Sequence, residues 1–152
     1  KPIFKEMNKT EILQIIQDKL SEKIGTLERM IAETRASNNE TKSSMGDKYE
    51  TSREMVQQEI NNLQIQLNEN LRAKNSLKLM NINAHQIVGL GSLVKTDKGL
   101  FYIAVSLGEI IFNDHKIFVI STESPLAKAM SGKSQNAEFS FNNNKQQIVK
   151  IW

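Results

Sequence analysis

Two runs of apolar residues spaced three and four apart constrain this chain more than any other feature: Leu13, Ile16, Leu20, Ile24, Leu27 and Ile31, then Val56, Ile60, Leu63, Leu67 and Leu71. That spacing keeps each set on one narrow stripe of a helix, with polar and charged residues on the other faces. A stripe this thin suits another helix better than a sheet, so the two segments are expected to pair with each other. About a dozen residues separate Arg35 from Tyr49, and Asn38, Asn39, Ser43, Ser44 and Gly46 among them favour a reversal, which makes the pair antiparallel. At ~1.5 Å per residue, helices of roughly 28 residues give an arm on the order of 40 Å long. Asn8 followed by Glu11 has capping-box spacing and marks the first helix start; Asp47 followed by Glu50 does the same for the second.

After Lys78 the pattern changes to period two. Gly91 to Val94 and Leu100 to Val105 flank the turn signal Thr96-Asp97-Lys98-Gly99, and Ile117 to Ile120 is a further apolar run. Glu138-Phe139-Ser140-Phe141 alternates, and Asn142-Asn143-Asn144 turns the chain into Gln147 to Ile151. These read as strands of an antiparallel sheet. Between them, Ser124 as cap, Pro125 at the first position and Gly132 just past the end mark a short helix. The expected organisation is α+β: a coiled-coil hairpin over residues 1–78 with its tip loop near 36–48, then a small sheet domain over 79–152.

Composition narrows the chemistry. With no cysteine, disulfides and thiolate zinc sites are excluded and a reducing cytoplasm suits the chain. No run of apolar residues is long enough to span a membrane, and KPIFKEMNKTE lacks the apolar core of a signal peptide, so a cytoplasmic protein without membrane contact is expected. Residues 1–78 carry 13 basic and 12 acidic side chains and 79–152 carry 7 and 5, a balance that gives no broad basic face for wrapping nucleic acid. His85 and His115, about thirty residues apart, read as loop or surface histidines, not as metal ligands or members of a catalytic triad. Ser131-Gly132-Lys133-Ser134 follows a helix instead of connecting strand to helix, so it reads as a helix exit and not as a phosphate loop. Tyr102, Phe118, Phe139 and Phe141 are expected in the core.

Three stretches resemble Gre-type transcription factors of bacterial RNA polymerase. Ile31-Ala32-Glu33-Thr34-Arg35 is similar to the end of that family's first coiled-coil helix, and Gly46 to Glu54 is similar to the start of the second. The most specific is Val119 to Lys133, VISTESPLAKAMSGK, which resembles the family's ISxxSPxGRALLGK pattern. The resemblance implies an antiparallel coiled coil on an FKBP-like domain, and a monomer whose partner is bacterial RNA polymerase. In such factors the sheet domain holds the rim of the secondary channel beside the Ser-Pro that starts the short helix, here Glu123, Ser124 and Pro125. The coiled coil enters the channel, where acidic tip residues favour occupancy of the weaker of two Mg²⁺ positions and the polymerase cleaves the 3′ end of a backtracked transcript.

At the tip this sequence departs from the pattern. Counting back from Tyr49 places Lys42 and Met45 where the two acids belong; counting forward from Arg35 places Asn39 near the first, with Glu40 adjacent. Glu40 and Asp47 are the carboxylates that the longer loop offers for the catalytic role. The resemblance therefore implies a factor that stimulates the polymerase's own cleavage activity, meeting nascent RNA only indirectly. It is not itself an enzyme and holds no metal or cofactor of its own. A channel-occupying regulator without cleavage activity is the alternative within the family, and an FKBP-like isomerase or chaperone the alternative of another class.

Overall fold

A computed structural model describes residues 7–44 and 50–152, with the side chains of 38–44, 50 and 51 outside the description. Three helices and six strands follow in the order α1 (Lys9–Ser44), α2 (Glu50–Leu77), β1 (Leu93–Thr96), β2 (Gly99–Ala104), β3 (Gly108–Phe112), β4 (His115–Ser121), α3 (Pro125–Met130), β5 (Glu138–Phe141) and β6 (Asn144–Ile151). The chain divides into two compact units: Asp18–Asn75 forms one, and Lys1–Gln17 with Ser76–Trp152 forms the other. The division gives the first turns of α1 to the sheet unit, whereas the sequence boundary at residue 78 assigns all of α1 to the hairpin.

In the helical unit, Ile24, Leu27 and Ile31 of α1 and Ile60, Leu63 and Leu67 of α2 form one buried cluster, with Val56 packed against it. Because five residues join helices that share this cluster, the two run antiparallel. The expected stripe needs two corrections. Leu71 is 39% exposed, and at the other end Ile12 is fully buried while Leu13 is only half-buried. Ile12, Ile16 and Leu20 form an i, i+4, i+8 row, which advances about 40° around α1 at each step, and Ile12 and Ile16 belong to the sheet unit. A third correction concerns the reversal. α1 is 36 residues long and runs through Asn38, Asn39, Ser43 and Ser44. These residues are indifferent helix formers, but adding a turn to an existing helix costs far less than starting one.

The sheet unit is built on one six-stranded sheet of order β3-β4-β2-β1-β6-β5. It is mixed, not antiparallel throughout: β2 and β4 run parallel, with Leu100 opposite Ile117 and Ala104 opposite Ser121. The physical reason is the strand Gly108–Phe112, absent from the sequence reading. Ser106 and Leu107 carry the chain past one strand position, and the β3–β4 hairpin then lays β4 in the gap beside β2. The signal for that hairpin was Asn113-Asp114, which supply φ values of 48° and 66° for a tight two-residue turn. Asn142 and Asn143, at 53° and 65°, do the same between β5 and β6.

From Leu100 to Ala104 every residue of β2 is buried, so both faces of the sheet are covered there. On one face Val94, Phe101, Ile103 and Ile148 pack with Ala127 and Met130 of α3 and with Phe139. Leu93, Tyr102, Ile117 and Val119 alternate with that set and are equally buried. The core assignment of the aromatics holds for Tyr102, for Phe139 and for Phe141 at the cluster's margin, while Phe118 is 36% exposed and stacks on Phe101 with ring centroids 5.9 Å apart.

Truncating Ile148, fully buried in this cluster, to Ala should lower the unfolding free energy by about 2–5 kcal/mol, whereas Leu71→Ala should change it by less than about 0.5 kcal/mol. Urea denaturation of the two variants checks the pair of values.

Candidate functional site

The short helix α3 is fixed at its start by one hydroxyl. Ser124 sits in extended conformation, and its Oγ accepts the Ala127 N–H at 3.2 Å while donating to the Ser121 carbonyl at 2.8 Å. A cap of this kind contributes about 1 kcal/mol and sets where the helix begins. Pro125 follows at the first helical position with φ already suited to the helix. Ala127 and Met130 anchor the other side in the core. At the exit Gly132, at φ 79°, donates its N–H to the Val88 carbonyl, and the Val88 N–H bonds to Lys133 O. The helix-exit reading of Ser131 to Lys133 is therefore what the structure has. Glu123 and Pro125 are exposed on this braced corner, and Glu123 forms a long ion pair of 3.7 Å with Lys128 that is open to solvent. Exposed pairs of this length contribute little to stability, which leaves the Glu123 carboxylate available to a partner.

A second constellation lies around Lys9, which the sequence reading did not single out. Its ammonium is buried and donates to the main-chain oxygens of Asn83 at 2.8 Å and Trp152 at 3.1 Å. Burial disfavours the charged form and brings its pKa down to about 8. His85 is half-buried in its loop, not at the surface; its Nδ1 lies 2.7 Å from Ser92 Oγ, which also accepts the Gly89 N–H at 2.9 Å. Burial first, and the Lys9 charge second, hold its pKa below the ordinary histidine value. Tyr102 is fully buried, its hydroxyl has no hydrogen-bond partner among the described residues, and desolvation raises its pKa to about 12. An open cleft of about 660 Å³ is lined by Met7, Lys9, Thr10, Asn113 and Trp152, together with Asn8, Glu11, Ile82 and Ala84. The Glu11 N–H donates to Asn8 Oδ1 at 3.2 Å, as the capping-box spacing suggests, while Glu11 Oε2 accepts from the Asn8 side-chain Nδ2 at 3.4 Å in place of the backbone N–H that a full capping box uses.

Of the residues assigned roles from sequence, Glu123, Ser124 and Pro125 stand together on the α3 corner. The Glu40 side chain, Asp47 and the tip positions Lys42 and Met45 lie outside the described residues. His115 opens β4. Among the described residues, no group of three or more His, Cys, Asp or Glu could hold a metal ion, and no helix is long and apolar enough to cross a membrane. Lys9 could have been noticed as a basic residue in the first turn of a helix, where the dipole favours acids.

No family model matches the chain, and no curated protein matches it either. Among solved structures it is similar to the crystal structure of GreA factor homolog 1 (Gfh1) of Thermus thermophilus, at 16% identity over 90% of this chain and 94% of that one, with a TM-score of 0.38. A second structure of the transcription factor Gfh1 gives 16% identity, 89% and 92% coverage and 0.37. Gfh1 of Thermus aquaticus gives 19%, 88% and 92%, and 0.35.

Lys9 releases its proton near pH 8 in the folded chain and near 10.5 in the unfolded one, so between those values the unfolded chain binds more protons. Its contribution to stability therefore rises with pH across that window. Lys9→Met should lack this rise when unfolding free energies of the two proteins are compared by urea denaturation, since other groups contribute equally to both. Parallel pH profiles would contradict the assignment.

Proposed function

We propose that this chain is a Gre-like factor that binds bacterial RNA polymerase in the cytoplasm, acting as a monomer and modulating elongation through the secondary channel. The observation that carries the reading is the α3 corner. The run Val119 to Lys133, which most resembles the family's pattern, folds into a braced turn with Glu123 and Pro125 exposed and Ser124 spent on the internal cap. A carboxylate on a rigid turn suits a basic or amide-rich surface on a large partner, because little side-chain and loop entropy is lost on docking. In this reading the α1–α2 hairpin, whose helices are 36 and 28 residues long, carries its tip into the channel. Glu40 and Asp47 favour occupancy of the weaker polymerase Mg²⁺ position, and the polymerase performs the cleavage.

One sequence observation favours a second reading. Lys42 and Met45 occupy the positions of the family's tip acids when counted from Tyr49, and a lysine there would repel divalent cations. On that reading the chain occupies the channel and regulates the polymerase without stimulating cleavage.

A transcript-cleavage assay on a stalled, backtracked complex separates the two. The cleavage reading predicts shortened RNA with the wild-type chain, reduced about tenfold or more by Glu40→Gln or Asp47→Asn. Slowed elongation without shortening selects the regulator, and neither effect contradicts both readings.

A further inference from the structure

The register of β1 against β6 sets Lys95 directly opposite Lys150. Side chains so placed stand about 5 Å apart at Cβ, and like charges there destabilise the sheet. Both are half-buried, and neither forms an ion pair with another described residue. The acids nearest in sequence do not offset them: Asp97 accepts the Gln147 N–H, and Glu138 pairs opposite Gln147, further along β6. Two residues beyond Lys150, the same strand direction brings Trp152 to the same face, and the Lys150 ammonium lies over its ring, 5.8 Å from the centroid. Trp152 is half-buried and lines the open cleft of about 660 Å³, where Asn8, Thr10 and Asn113 contribute polar groups.

We infer that this face binds a short segment of single-stranded nucleic acid, its phosphate held between Lys95 and Lys150 and a base stacked at Trp152 with its edge toward the cleft. Two ammonium groups side by side answer to a phosphodiester. An indole beside them answers to a base, since stacking accepts any base and adds to backbone contacts. A small ion or an acidic protein segment would use the lysines alone, whereas a base would also use the indole face. The near balance of 7 basic and 5 acidic residues over 79–152 conceals the site, because strand register, not composition, brings the two lysines together. The inference stands apart from the polymerase reading and needs no polymerase for its test.

Trp152 is the only tryptophan of the chain, so its emission reports on this face alone. Titrating the full chain with oligouridylate at low salt should quench that emission. Dye-labelled oligouridylate followed by anisotropy should show affinity falling with salt at a logarithmic slope of about −0.7, for the one phosphate held between the two lysines. The K95Q/K150Q double variant and Trp152→Ala should each weaken binding about tenfold, with circular dichroism confirming that both are folded. Lack of quenching, binding unchanged in the double variant, or equal competition by inorganic phosphate or polyglutamate would each overturn the proposal.

Discussion

The rest of the sheet unit depends on the burial of β2 from both sides. Leu100 to Ala104 have neighbours β1 and β4 in the plane and side chains packed above and below. At about 25 cal/mol per Å² of apolar surface removed from water, a strand of five such residues is worth far more than any single hydrogen bond or ion pair on the surface. The position of α3 follows from it. Phe101 and Ile103 present the surface on which Ala127 and Met130 pack, and the Ser124 cap then decides where the helix starts and which residues the corner exposes.

The helical unit uses a thinner version of the same principle. Its buried cluster is a single row from each helix, and the outer faces carry side-chain pairs one turn apart, such as Gln57 with Asn61 and Gln64 with Asn68. Such pairs contribute a few tenths of a kcal/mol each. The narrow apolar seam therefore supplies most of what holds the two helices together, and long helices with polar outer faces follow directly from it.

Local chemistry was legible in the sequence and long-range pairing was not. Ser124-Pro125, Asn8 with Glu11 and the turn at Asn142-Asn143 act within a few residues, and each has the conformation its side chains dictate. The strand Gly108–Phe112 escaped notice because Gly-Glu-Ile-Ile-Phe lacks clean alternation, although Ile110 and Phe112 are buried and Ile111 is exposed. Without that strand the parallel pairing of β2 with β4 could not be foreseen. Lys9 and Trp152 meet across 143 positions, and Lys95 meets Lys150 beside a β-bulge; no spacing rule reaches either. Of the candidate site, the α3 corner could be read in advance, while the cleft and the paired lysines are products of topology.

The proposed function joins an exposed, braced corner to a two-helix hairpin in which Glu40 and Asp47 are the proposed tip carboxylates. Its central claim is that the Glu123-Ser124-Pro125 corner is what a bacterial RNA polymerase recognises. Binding of the full chain to purified core polymerase, measured with Glu123→Lys beside the wild type, tests that claim most directly. The account predicts saturable binding that the charge reversal weakens tenfold or more while the fold, monitored by circular dichroism, is unchanged. Equal binding by both proteins, or none by the wild type, would contradict it.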